Sequence, residues 1–306
     1  MNIAVLLTCH NRKQKTKKCL YSLKDAIELY NSSHNETINY RIFLTDDGCT
    51  DGTAQTVRTI LPSEEKLKIL IGDGDLFWAG GMRVCWKAAM NSDTNWDYYL
   101  LLNDDVDLMS NVFSELFNAE LYALKHTGTK GIVSGITCSP KRPAQVTYGG
   151  SAWTNKILFT QKRLDPTGAP QPCDVANANI FLVPSVVVKK IGIFHDRYRH
   201  GLADYDYSIT AHKAGFPIVL TANVCGYCQH DHNDQGTEAK KIIGMSLIER
   251  KNYFSHPIHS NKDYLIFIRR VCPLRFPIVW IGRKLNIYFP HIYYNLRFFL
   301  NKITCS

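Results

Sequence analysis

Residues 98–108 read YYLLLNDDVDL, and this stretch decides the fold. Tyr98 to Leu102 is an unbroken apolar run, the pattern of a strand buried on both faces. It stops abruptly at Asn103, Asp104 and Asp105, with Asp107 one residue further on. Ionised carboxylates are costly to bury unless they are paired or bound to a cation. The carboxyl edge of a parallel strand is where open α/β sheets hold their ligands. Hard divalent ions take oxygen ligands from one or two carboxylates together with substrate phosphates. The competing reading of the same residues is a solvated acidic turn.

The neighbouring segments repeat the design. Residues 3–8, IAVLLT, read as a first buried strand, followed by the polar, basic turn TCHNRK. Leu20, Leu23, Ile27 and Tyr30 then recur at helical spacing. Residues 40–45, YRIFLT, form a second strand ending in Asp46 and Asp47, and the turn CTDGT opens a helix near Thr53. A third strand, 67–71, runs into the glycine-rich loop GDGDLFWAGG, with a helix expected over Met82 to Met90. Further strands are expected at 131–137, within 145–160 and within 175–183, with a helix from Ser185 to Lys190. Alternating strands and helices predict an α/β fold with a parallel sheet and crossover helices.

Known phosphate-binding loops are missing. The first strand is followed by no G-x-G-x-x-G, and no G-x-x-x-x-G-K-[ST] occurs anywhere. What remains is a nucleotide-type fold whose strands end in acid, suited to a nucleotide-sugar held partly through a metal.

Composition is that of a folded enzyme, at 45% hydrophobic and 21% charged residues in 306. The first residues have the wrong charge order for a signal peptide, and no apolar run is long enough to span a bilayer. Ten cysteines in this setting read as reduced thiols of a cytoplasmic protein, so the sequons at Asn31 and Asn35 carry no weight. The net charge of +9 calls for an anionic partner.

The ordered set TCHNRK, LTDDGCTDGT, GDGDLFWAGGMR, LLNDDVDL and ANANIFLVPSVVVKKIGIFHDRYRHGLADYDYSITAHKAGF resembles the family 2 glycosyltransferases of GT-A fold. The likeness is greatest to bacterial rhamnosyl- and galactofuranosyltransferases, and it covers residues 3–235. It implies a Rossmann-like, mostly parallel sheet flanked by helices, and inverting transfer from a nucleotide-diphosphate sugar with Mg²⁺ or Mn²⁺ on the diphosphate. By the same resemblance Thr8, Asn11 and Arg12 border the nucleotide. Asp46 contacts base and ribose with Asp47 beside it, and Arg83 lies near the nucleotide. Asn103-Asp104-Asp105 stands at the D-x-D position, with Asn103 in place of the first aspartate. Asp105 is then the metal ligand and Asp104 its helper. Asp204 matches the catalytic base, although Ala203 replaces the usual glutamate before it, and His230 stands where some members place a further metal ligand.

Inversion needs one base to take the acceptor hydroxyl's proton as that hydroxyl attacks the anomeric carbon. A divalent ion answers the charge gained by the leaving diphosphate. Read without the family, Asp204 is an acidic first-turn residue of a helix closed by Gly215. Cys225, Cys228, His230 and His232 also offer zinc ligands, but structural zinc sites use separated pairs. His232 is an alternative to His230. Phe77 and Trp78 read equally as sugar-site or core aromatics, and His195, His200 and His212 have no motif around them.

These observations predict a transferase domain over 1–240 and a basic, aromatic helical extension over 241–306. From Tyr264 to Ser306 there are seven Lys or Arg, ten aromatic residues and no acid. Such segments lie in membrane interfaces over anionic lipid, and the competing reading is a helical cap whose aromatics pack on the transferase domain. The expected partners are a nucleotide-diphosphate sugar, a glycan or lipid-linked acceptor and the inner face of a membrane, in cell-surface polysaccharide synthesis. Two other readings are a metal-dependent nucleotidyltransferase, which wants a glycine in the first loop, and a nucleic-acid-binding protein. The second wants a basic stripe beside stacking aromatics, whereas here the basic residues gather in the tail, so no nucleic-acid partner is expected.

Overall fold

The computed structural model describes residues 1–156, 160–229 and 235–304. The chain divides into two compact units. The first holds Met1–Asp196 and Ala203–His230, and the second holds Arg197–Leu202 and Asp231–Ser306.

The first unit begins with the predicted alternation: β1 (Asn2–Cys9), α1 (Lys13–Ser33), β2 (Asn39–Asp46), α2 (Thr53–Ile60), β3 (Leu67–Ile71), α3 (Phe77–Met90) and β4 (Tyr98–Leu102). β1 pairs parallel with both β2 and β4, and β2 pairs parallel with β3. Every residue of β4 is buried, as its uninterrupted apolar run requires. All four strands therefore deliver their C-terminal ends to one edge.

Beyond β4 the sheet departs from the parallel expectation. The chain continues through β5 (Asp107–Leu108), α4 (Val112–Thr127), β6 (Ile132–Cys138), β7 (Val146–Tyr148) and β8 (Gly150–Asn155). It goes on with β9 (Thr160–Arg163), β10 (Gln171–Pro172), β11 (Val175–Ala176), β12 (Ile180–Pro184) and α5 (Ser185–Ile191). α6 (Ala203–Lys213) and β13 (Ile218–Tyr227) complete the unit. Among the described residues the main sheet runs β10-β13-β6-β12-β4-β1-β2-β3. β12 lies antiparallel between β4 and β6, whereas β6 and β13 pair parallel. A smaller antiparallel sheet joins β11, β8 and β9.

Two layers of core result. On one face the α1 stripe of Leu20, Leu23 and Ile27 and the α4 residues Phe113 and Leu116 pack with Val5, Leu7, Leu100 and Leu102. An aromatic cluster stands apart from it: the Trp86 ring lies 5.9 Å from Tyr99, 5.4 Å from Phe194 and 5.4 Å from Tyr207.

α3 starts five residues earlier than its sequence predicts. Glycines at 80 and 81 disfavour a helix by propensity, yet both lie inside it. The reason is close approach. A Cβ on Gly81 would sit 2.1 Å from the Thr8 hydroxyl, and the Gly81 carbonyl accepts a 2.8 Å hydrogen bond from Thr45 Oγ1.

The second unit is helical: α7 (Gln235–Gly244), α8 (Leu247–Ser255), α9 (Asn261–Val271), α10 (Phe276–Tyr288) and α11 (Pro290–Thr304). Ser246 and Glu249 form a capping box on α8, and Ser260 caps α9. The buried Asp263 carboxylate accepts from the backbone amides of Arg199, His200 and Gly201. Arg250 donates to the carbonyls of Ile287 and Met245 and so ties α8 to α10. No helix among the described residues is long and apolar enough to cross a membrane.

Gly81→Ala tests the packing of α3 on β1. Helix propensity alone predicts stabilisation, but the overlap with Thr8 predicts a loss of about 1 to 3 kcal/mol. Urea unfolding decides the sign.

Candidate active site

The edge formed by β1, β2 and β4 gathers most of the residues singled out above, and each is fixed by the element that delivers it. Asp46 is the last residue of β2 and pairs in register with Cys9, the last of β1. Its Oδ1 accepts from the Cys49 amide at 2.8 Å. Asp47 turns the other way. Its carboxylate accepts from the amides of Gly74, Leu76 and Phe77, at 2.9, 3.3 and 3.0 Å. Asp47 therefore ties down the glycine-rich loop and the first turn of α3. Phe77 holds φ of +55°, a cost that those bonds offset.

Asn11 also has a left-handed backbone, with φ of +51°. Its side-chain oxygen accepts from the Thr50 amide at 2.8 Å and so joins the loop after β1 to the loop after β2. Thr8 lies under Gly81, buried. Arg83, on α3, donates to the His195 carbonyl at 3.2 Å. Trp78 packs as a core aromatic and also reaches the D-x-D position. Its ring packs 5.4 Å from Phe194, and its indole N–H donates to Asn103 Oδ1 at 2.7 Å. An asparagine carbonyl accepts that bond without bringing a charge to the aromatic cluster.

The two aspartates after Asn103 differ. Asp104 is buried, takes the Thr16 hydroxyl at 3.0 Å and lies 3.4 Å from Arg12 Nη1. Burial pushes its carboxyl up to about 6, against the pull of Arg12. Asp105 faces a pocket of about 390 Å³ that is also lined by Lys15, Lys18, Asp107 and Tyr227. Asp105 Oδ2 sits 3.0 Å from Arg12 Nη1 and 3.6 Å from Lys15 Nζ, and its Oδ1 accepts weakly from the Cys228 thiol at 3.7 Å. Lys18 pairs with Asp107 at 2.7 Å. Two carboxylates and two lysines lining one pocket are a donor set that suits a hard ion together with phosphate oxygens. Thr16, Lys15 and Lys18 were not among the residues picked from sequence. The alternation of basic residues in KQKTKK on the first turns of α1, opposite the D-x-D position, is the signal that would have found them.

Asp204 lies in the first turn of α6, as its capping pattern predicts, and it is half-buried. Its Oδ2 accepts from the Ala178 amide at 3.2 Å and its Oδ1 from the Tyr205 amide at 2.9 Å. Asn177 adds a side-chain bond, yet burial prevails and lifts the carboxyl to about 6. Asp204 makes no ion pair among the described residues. The adjoining segment reaches β4: the Asn103 amide donates to the Asn179 carbonyl at 3.0 Å. Ala178 and Asn179 thus touch Asp204 and the D-x-D position at once. Leu202, two residues before Asp204, has φ of +65°.

Every described cysteine is a free thiol. Cys225 and Cys228 are buried and have separate partners, the carbonyl of Asn223 and the carboxylate of Asp105. His230 and His232 lie outside the described residues, so neither is placed as a metal ligand.

Residues 4–166, more than half of the chain, match the family described as Glycosyl transferase family 2. The chain belongs to that family. The match spans β1 to β9 and includes both acidic strand ends. Over nearly the whole chain the fold is similar to that of S. aureus TarS residues 1–349. The structure of TarS in complex with UDP agrees at a TM-score of 0.56 and 13% identity, over 97% of this chain and 91% of that one. The complex with UDP-GlcNAc and a further crystal structure of TarS 1–349 agree at 0.52 and 12%, over 96% and 88%. At this identity the likeness is one of fold, and it agrees with the GT-A architecture expected of the family. No curated protein matches the sequence.

The raised carboxyl of Asp104 carries a stability consequence. Its folded value, about 6, lies above the ordinary 3.8, so folding favours the protonated form. Its contribution is therefore greatest in acid and is lost as pH rises through about 6. Asp104→Asn removes that dependence. The unfolding free energy of the variant minus that of wild type should rise by about 2 to 3 kcal/mol from about pH 4 to about pH 7. Denaturant titrations at several pH values read it directly.

Proposed function

We propose that the protein is an inverting glycosyltransferase that moves a sugar from a nucleotide-diphosphate sugar to a lipid-linked or glycan acceptor at a membrane surface. One contrast carries the reading. Asp105 stands among cations at the mouth of a basic pocket, whereas Asp204, held by two backbone amides and without an ion pair among the described residues, has its carboxyl lifted to about 6. Environments that push two carboxylates towards different tasks mark an electrostatic partner and a general base.

In this mechanism the nucleotide lies over the loops after β1 and β2, with Asp46 and Arg12 as its contacts. Asp105 would hold Mg²⁺ or Mn²⁺, which would supply positive charge for the leaving diphosphate. Arg12 and Lys15, both on Asp105, would meet the phosphate oxygens. Asp204, oriented by the Ala178 and Tyr205 amides, accepts the acceptor hydroxyl's proton at its carboxylate as that oxygen attacks the anomeric carbon. A proton acceptor near 6 is charged at neutral pH and basic enough to work. The UDP and UDP-GlcNAc complexes of TarS support a uridine diphosphate sugar as the first donor to try.

The membrane partner rests on the second unit. Leu274 is 91% exposed and Ile278 74%, and Phe289, Ile292, Phe298 and Phe299 are all more than half exposed. Arg269, Arg270, Lys284 and Arg297 are exposed in the same segment, which holds no acid from Tyr264 onward. A second copy would meet this face with like charge, whereas an anionic bilayer offers both acyl chains and negative headgroups. The protein would then be peripheral on the cytoplasmic face, where lipid-linked acceptors for surface polysaccharide are built.

Asp105→Ala should abolish transfer with the fold intact, and EDTA should do the same to wild type. Asp204→Asn should lower turnover by roughly 10² or more while donor binding survives. In wild type, kcat/KM should fall as pH drops through about 6, because the base must be ionised. Full activity in EDTA, or an unchanged pH profile with weakened donor binding in Asp204→Asn, would remove these roles.

Sedimentation with vesicles tests the surface. The full chain should bind phosphatidylglycerol vesicles in low salt and release in high salt. The exposed changes Leu274→Ser, Ile278→Ser and Phe298→Ser together should weaken binding at least tenfold. Equal partitioning of the folded triple variant would dismiss the surface.

A further inference from the structure

Beside the pocket, at the ends of β1 and β2, Cys9, Asp46 and Cys49 bring their ligand atoms within 4.8 Å of one another. The two sulfurs are 3.8 Å apart. Two thiolates on one tetrahedral zinc, each with a bond of about 2.3 Å, stand about 3.8 Å apart. Strand register holds the set together, since Cys9 and Asp46 are directly paired.

The surroundings are also those of a ligand set. The Asn11 amide donates to Cys49 Sγ at 3.2 Å, and it does so from a left-handed backbone that non-glycine residues seldom adopt. Amide donors to sulfur, and hydrogen bonds that fix a ligating carboxylate, orient metal ligands and stabilise their charge. The Cys49 amide fixes Asp46 in that way, at 2.8 Å. Cys9 is 3% exposed, whereas Cys49 is only half-buried and leaves an approach from its side.

We infer that Cys9, Cys49 and Asp46 form a binding site for one thiophilic divalent cation of the zinc and cadmium class, separate from the hard ion proposed at Asp105. Both sulfurs bind as thiolates, so one cation enters and two thiol protons leave to solvent. Asp46 gives a carboxylate oxygen and water completes the tetrahedron. Soft sulfur selects this class of ion over Mg²⁺ and Mn²⁺. A consequence rests on the proposed function: an ion that claims Asp46 takes a nucleotide contact away, so cation and nucleotide exclude each other.

The test uses the full chain in a non-thiol reductant, which keeps a disulfide from forming. Titration with Cd²⁺ is read by the sulfur-to-cadmium absorption in the near ultraviolet. Wild type should give a band that saturates at one equivalent. Cys9→Ser and Cys49→Ser should each lose most of it, and Cys228→Ser should keep it. Cys49→Ser alters a half-exposed side chain, so its thermal unfolding should match wild type and its result stands even where Cys9→Ser folds poorly. A band that survives in folded Cys49→Ser, or vanishes in Cys228→Ser, would overturn the site. Repeating the titration with UDP present separates the two claims. Cadmium affinity should fall at least tenfold, and unchanged affinity would leave the metal site standing while overturning the nucleotide's place at Asp46.

Discussion

The Asp47 carboxylate, bound by the amides of Gly74, Leu76 and Phe77, is the contact on which the site depends. It fixes where α3 begins, and α3 in turn carries Trp78 to Asn103 and lays Gly81 on Thr8. A buried acid satisfied by backbone donors needs no counter-ion, so the loop is held without a charge that would compete for the substrate. Asp46, its neighbour, points to the sheet edge. Two adjacent acids thus divide the work, Asp47 stabilising the glycine-rich loop and Asp46 the loop after β2 through the Cys49 amide.

Charge at the edge is divided with equal economy. Arg12 spans Asp104 and Asp105, but only Asp105 opens on the pocket. Burial raises the proton affinity of Asp104, so it sheds its negative charge below about pH 6, and at neutral pH the pair is held chiefly by Arg12.

Much of this was legible in the sequence, and the exceptions have physical causes. The strands at 2–9, 39–46, 67–71 and 98–102 announce themselves by apolar runs that stop at polar residues, and the acid at their ends marks the edge. The start of α3 was hidden because glycines 72, 74, 80 and 81 read as a loop, while Gly81, inside the helix, answers to steric contact with Thr8 of β1. The direction of β12 was equally hidden, since a strand's apolar pattern is the same read either way. Asp204 was visible through its motif, but the amide of Ala178 that holds it belongs to a segment 26 residues earlier and leaves no local trace. Arg83 was placed near the nucleotide from sequence, and its bond to the His195 carbonyl shows what else that side chain does. His230 falls outside the described residues.

The reversal of β12 has a geometric outcome of its own. Because this strand runs against β4, its first residues, not its last, arrive at the edge where the parallel strands end. One short peptide segment therefore reaches Asp204 through the Ala178 amide and Asn103 through the Asn179 carbonyl. The two halves of the site share a strut of adjacent residues, with no hinge between them. A one-residue slip of β12 would displace both together and turn its side chains to the opposite face of the sheet. The spacing between Asp204 and the Asn103–Asp105 stretch is thus set by sheet register, and the surrounding loops can vary without disturbing that ruler.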